Sequence, residues 1–184
     1  MRASAERARH ERRAALLTLV IGGARSGKSR YAESLIASAP PPWIYLATAE
    51  ARDDEMAQRI ATHRARRPSG WQTVEAPRDL AAALSALPCD AAVLVDCLTL
   101  WLSNQLLAGA DIDAETARLE TALGEMQGQV VLVANEVGFG IVPENALARR
   151  FRDLQGTLNQ RVAARADRVV LVVAGLPLFV KGQA

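Results

Sequence analysis

The chain has 184 residues, half of them apolar and 23% charged, enough to bury the core of one domain and too apolar for a disordered tail. No run approaches the ~18 apolar residues of a membrane-spanning helix, and two cysteines, Cys89 and Cys97, are too few for a disulfide scaffold or a structural zinc site. The formal charge of +2 comes from the first 13 residues, where five Arg face Glu6 and Glu11; the remainder carries a net −1, which argues against a nucleic-acid partner.

Residues 1–15 read as an N-terminal extension to one folded unit over 16–184. The extension lacks the uninterrupted apolar stretch of a secretory signal. From there, apolar runs alternate with helical patterns. A buried strand is expected at 16–21, a helix at 28–37 after two glycines, and a strand at 43–47 after three prolines. An amphipathic helix follows at 53–66, with acids at its positive end. A short strand is expected at 71–75, a helix at 79–87 and a strand at 91–95 ending in Asp96. Helices at 98–108 and 113–126, a strand at 130–134, a long helix at 144–166 and a last strand at 169–174 complete the pattern. Continuously apolar strands separated by helices predict an α/β fold, a mostly parallel sheet with helices on both faces.

Gly22-Gly23-Ala24-Arg25-Ser26-Gly27-Lys28-Ser29 matches the phosphate-loop pattern at every defined position, with a strand entering and a helix leaving. In such a loop, backbone N–H groups converge on phosphate oxygens, Lys28 reaches the β- and γ-phosphates and Ser29 ligates Mg²⁺. Of the 22 basic residues only Lys28 and Lys181 are lysine, so the one in the loop stands where a compact ammonium is needed. Asp96, closing Val-Leu-Val-Asp, has the layout of a second Mg²⁺-holding acid, and equally that of an N-cap for the helix at 98. His63 is the only imidazole outside the extension. It shares a helix face with Met56 and Ile60 and precedes Arg64, Arg66 and Arg67. Spacing alone leaves it either a structural residue at a solvated helix end or a nucleophile beside a phosphate clamp.

Taken together, the loop at 22–29, Asp-Asp-Glu-Met with His63 downstream, Arg67-Pro68 and Trp71, Asp96-Cys97-Leu98-Thr99, the block from Asn135 to Asn145, and Asn159-Gln160-Arg161 are recognisable. They resemble the bifunctional adenosylcobinamide kinase / adenosylcobinamide-phosphate guanylyltransferase family of cobalamin biosynthesis. The likeness runs from about residue 16 to the C-terminus. It implies a P-loop NTPase (RecA-like) fold and two reactions. ATP or GTP would phosphorylate adenosylcobinamide; GTP would then transfer GMP to adenosylcobinamide phosphate through a GMP-histidine intermediate, releasing pyrophosphate. By position the resemblance makes His63 the nucleophile. It maps nucleotide contacts onto Thr48, Ala49, Glu50, Arg64, Ala65, Arg66, Arg67, Glu75 and Asp96. Glu75 also reads as a plain surface acid at a strand end, and Asn135 and Glu136 as either substrate-facing or turn-forming. Some relatives carry two adjacent histidines where this chain has Thr62 and His63. Mg²⁺, a cytoplasmic setting and a homo-oligomer, a trimer among the possibilities, are further implications. Self-association is also expected from the alanine-rich helices and from Trp101, read as exposed.

Overall fold

A computed structural model describes residues 16–51 and 53–183, without the side chains of Glu55, Arg59, His63 and Arg66; the expected extension at 1–15 lies outside the described residues. The strands are β1 (Leu16–Gly22), β2 (Trp43–Ala47), β3 (Trp71–Glu75), β4 (Ala92–Asp96), β5 (Gln129–Asn135), β6 (Arg168–Val173) and β7 (Leu176–Lys181). The helices are α1 (Lys28–Ile36), α2 (Asp54–Arg66), α3 (Leu80–Ser85), α4 (Leu98–Leu107), α5 (Ile112–Glu125) and α6 (Ala146–Arg165). All seven strands form one sheet in the order β3-β2-β4-β5-β1-β6-β7, parallel except for β7.

Alternation along each strand splits the core in two. Leu19, Ile44, Leu46, Val93, Val95, Val130 and Leu132 point to one face, which α3, α4, α5 and α6 cover through Leu84, Leu98, Trp101, Leu119 and Leu158. Val20, Tyr45, Leu94, Val131, Val133 and Val172 point to the other, which α1 covers through Ala32 and Ile36. The expected two-faced architecture is therefore present, but with unequal layers.

Local chemistry fixes the helix starts. Asp53 caps α2 by accepting from the Met56 N–H (2.7 Å), Asp111 caps α5, and Asn145 caps α6 by accepting from the Leu147 and Ala148 N–H groups. Two sequence expectations need correction. The strand at β6 is not the last, because the chain turns at Ala174 and Gly175, both at positive φ, and returns as β7. Pro177 is accommodated within it because β7 lies at the sheet edge. Trp101 is not exposed: it is 1% accessible, and its indole N–H donates to the Arg78 carbonyl (2.8 Å). A largely apolar helix covering a sheet face reads the same in sequence as an interface helix.

Candidate active site

The phosphate-loop motif connects β1 to α1 at the carboxyl edge of the sheet, where open α/β folds build their sites. Its glycines are used for space and conformation. A Cβ on Gly22 would come within 2.6 Å of both Ser26 Oγ and the Val172 carbonyl. Gly27 caps α1 at φ +96°, and Arg25 at φ 56° also takes the left-handed conformation. The Lys28 ammonium donates to the Gly23 carbonyl (3.0 Å), arching over the loop. The β6–β7 turn braces it from the side, the Gly175 N–H donating to the Ser26 carbonyl (2.8 Å).

Beside the loop opens a cavity of about 580 Å³. Residues 24–29 form one wall; Asp96 and Asn135, at the ends of β4 and β5, form the floor with Tyr45, Ala47 and Cys97. Because β5 separates β4 from β1, Asp96 stands one strand away from the loop strand, leaving room for a ligand between them. Asp96 does not cap α4; that position belongs to Cys97, which makes no side-chain cap bond. One Asp96 carboxylate oxygen, Oδ2, is buried without a hydrogen-bond partner. Burial, and next the neighbouring Asp96 carboxylate, push the Tyr45 hydroxyl well above the ordinary phenol range, with Arg67 opposing. Burial, again reinforced by Asp96, pushes the Cys97 thiol up to about 11, so it stays protonated and unreactive.

The opposite wall is α2. Met56, Ile60, Arg64 and Arg67 line the cavity from one helix face and its C-terminal end. Position 63 falls on that same face by helical spacing, between the turns that carry Ile60 and Arg67. Arg67 lies flat on Tyr45, its guanidinium carbon 3.6 Å from the ring centroid, and donates to Thr73 Oγ1 (3.3 Å). Its Nη1 is buried with no partner. Arg64 pairs with Glu75 at 3.0 Å, and both line the cavity.

Of the residues singled out in the sequence, Ala24 to Ser29, Ala49, Arg64, Arg67, Glu75 and Asp96 meet around this cavity. Gly22 and Gly23 shape the loop behind it. Thr48 is fully buried: its hydroxyl donates to the Cys97 carbonyl and accepts from the Cys97 N–H, both at 2.7 Å, so it ties β2 to the residue after Asp96. Glu50 faces Arg78 (3.3 Å) rather than the cavity, and Ala65 is on the exposed side of α2. The side chains of His63 and Arg66 lie outside what is described.

The family model for cobinamide kinase / cobinamide phosphate guanyltransferase matches residues 18–180. The chain belongs to this family. Curated relatives agree. The bifunctional adenosylcobalamin biosynthesis protein CobP of Pseudomonas aeruginosa is 51% identical over 168 residues, covering 90% of this chain and 97% of the relative. The CobU proteins of Salmonella typhimurium and Escherichia coli, also named bifunctional, are 48% and 43% identical, covering 90% of this chain and the whole of each relative. Among solved structures, the ATPase domain of G40P covers 87% of this chain and 69% of its own at 14% identity, with a TM-score of 0.47. As a member of the cobinamide kinase / guanyltransferase family, the chain is a kinase and a nucleotidyltransferase.

Several contributors to this family member's cavity carry no motif in the sequence, among them Tyr45, Thr73 and Gly175. Tyr45 was available in principle, since it shares a face of β2 with Ala47, but only the pairing of β2 with β4 brings it beside Asp96. Gly175 was hidden with the missed hairpin.

Proposed function

We propose that residues 16–184 form one catalytic domain that phosphorylates the hydroxyl of adenosylcobinamide with ATP or GTP. The domain then transfers GMP from GTP to adenosylcobinamide phosphate through His63, giving adenosylcobinamide-GDP and pyrophosphate. The observation that carries this reading is the single cavity shared by the phosphate loop, Asp96 and the α2 face on which position 63 lies. In the kinase step the loop N–H groups and Lys28 hold the β- and γ-phosphates while the substrate hydroxyl oxygen attacks the γ-phosphorus, losing its proton to solvent, and the β–γ bridging bond breaks to release the nucleoside diphosphate. In guanylyl transfer the His63 nitrogen attacks the α-phosphorus and the α–β bridging bond breaks. The loop then stabilises charge on departing pyrophosphate. The substrate phosphate next displaces the histidine, so one hard step becomes two easier ones.

Arg67, held by Tyr45 and Thr73 with one free buried N–H, suits an α-phosphate contact, and Arg64 with Glu75 suits the nucleoside. Ser29 and the orphaned Asp96 oxygen are the donors suited to Mg²⁺, which takes one or two protein oxygens and completes its shell from phosphates and water. When bound there it would neutralise charge developing on the phosphates. Among the described residues no helix is long and apolar enough to cross a membrane, and we assign the enzyme to the cytoplasm, where nucleoside triphosphates are available. A homo-oligomer, with a trimer to be tested first, is supported by exposed Leu176, Leu178 and Val180 on the edge strand β7.

Product analysis tests the reading. Incubation with adenosylcobinamide, GTP and Mg²⁺ yields first adenosylcobinamide phosphate and then adenosylcobinamide-GDP with one pyrophosphate. Accumulation of the phosphate alone would leave a kinase without transferase activity.

A further inference from the structure

The segment between β5 and α6 carries a surface that the nucleotide chemistry does not use. It leaves the sheet between the acid strand and the loop strand, because β5 lies between β4 and β1. Its root is fixed at the site: Asn135 lines the cavity, and the Glu136 N–H donates to the carbonyl of Gly22, the first residue of the phosphate loop (3.1 Å). Glu136 Oε1 accepts from the Gly138 N–H (2.6 Å), holding the turn. At the far end the Arg149 guanidinium donates to the Pro143 and Glu144 carbonyls, and Asn145 caps α6. Between these pinned ends Phe139 is 86% and Ile141 96% exposed, with Val142 also largely exposed. Apolar side chains this open on a well-anchored loop mark a binding surface.

Size and position identify the occupant. A cavity of about 580 Å³ accommodates a nucleoside triphosphate. A corrinoid bearing its own adenosyl group has several times as many atoms, and only its side-chain hydroxyl or phosphate needs to reach the cavity. The ring must therefore rest outside, on whatever surface borders the cavity. We propose that the 136–145 loop is the corrinoid-docking surface, with Phe139, Ile141 and Val142 packing against the methyl-bearing face of the ring. A second copy of the chain fits this patch less well. Three side chains fall far short of the ~20 residues a side of a stable protein interface, and the longer apolar row lies elsewhere, on β7.

The inference rests on the proposed function, and the test separates the two. Phe139→Ser/Ile141→Ser is compared with wild type in three measurements. These are the KM for adenosylcobinamide, the rate of GMP attachment to the protein from GTP alone, and the mass of the assembly in solution. Loss of two buried apolar contacts raises the corrinoid KM at least about tenfold. GMP attachment, which needs no corrinoid, stays within twofold, the mass is unchanged, and Phe139→Leu/Ile141→Leu restores the KM. An unchanged corrinoid KM, or an altered assembly mass in the serine variant, overturns the docking surface. Failure of wild type to act on adenosylcobinamide at all overturns the function on which it rests.

Discussion

At the residue scale, the loop could be recognised because its eight residues are consecutive and each has one job. Lys28 is the most exposed to test: Lys28→Ala is expected to lower kcat/KM of both reactions by about 10²- to 10³-fold, as removal of a charge-stabilising donor does. Its helix content by circular dichroism should be unchanged, since the Lys28 side chain donates to the Gly23 carbonyl of the loop that it would serve and packs in no apolar core cluster. Arg67 is a subtler case. The planar guanidinium lies on Tyr45 and reaches Thr73 at once, which an ammonium cannot reproduce, so Arg67→Lys should raise the KM for GTP roughly tenfold. That contact was illegible in the sequence because Tyr45, Arg67, Thr73 and Asp96 come from four separate segments. Only the β3-β2-β4 order of the sheet assembles them. The cysteines give a pH test. Burial holds the Cys97 thiol protonated up to about 11, whereas an unfolded chain releases that proton at an ordinary thiol pH. The folded state thus binds the extra proton between those values, and stability falls as pH rises across that window. Iodoacetamide at pH 8 should label exposed Cys89 and spare Cys97, read by peptide mass.

At the scale of elements, strands and helices were legible wherever apolar period and caps agreed, as at Asp53, Asp111 and Asn145. They were not where the tertiary context decides: β7 exists as the antiparallel edge partner of β6, and the largely apolar α4 concealed that Trp101 belongs to the core. The α5–α6 pair shows how such contacts are held. Arg161 clasps both oxygens of Glu120 at 2.9 Å and reaches Asp113 at 3.2 Å. The hydrogen bonds from Arg161 hold the Glu120 carboxyl below its ordinary range. Its contribution is therefore full above the unfolded carboxyl's titration and is lost as pH falls through the lower folded value. Glu120→Gln should cost about 1 kcal/mol near neutral pH by urea unfolding. The gap from wild type should shrink in acid; a constant gap would mean that packing, not charge, joins the helices.

For the whole molecule, the near-neutral body and the cavity beside the phosphate loop fit an enzyme acting on small charged substrates, and family membership over residues 18–180 agrees. Composition alone could exclude partners but not find a substrate. The motif set supplied that, while the arrangement of α2 against the loop across one cavity supplied the geometry. Guanylyl transfer requires the nucleotide to be carried by His63, and intact-protein mass spectrometry after incubation with GTP and Mg²⁺ tests this most directly. One added GMP is predicted, lost in acid and kept in alkali as a phosphorus–nitrogen bond requires, and absent from His63→Ala. The same adduct on the alanine variant would contradict it.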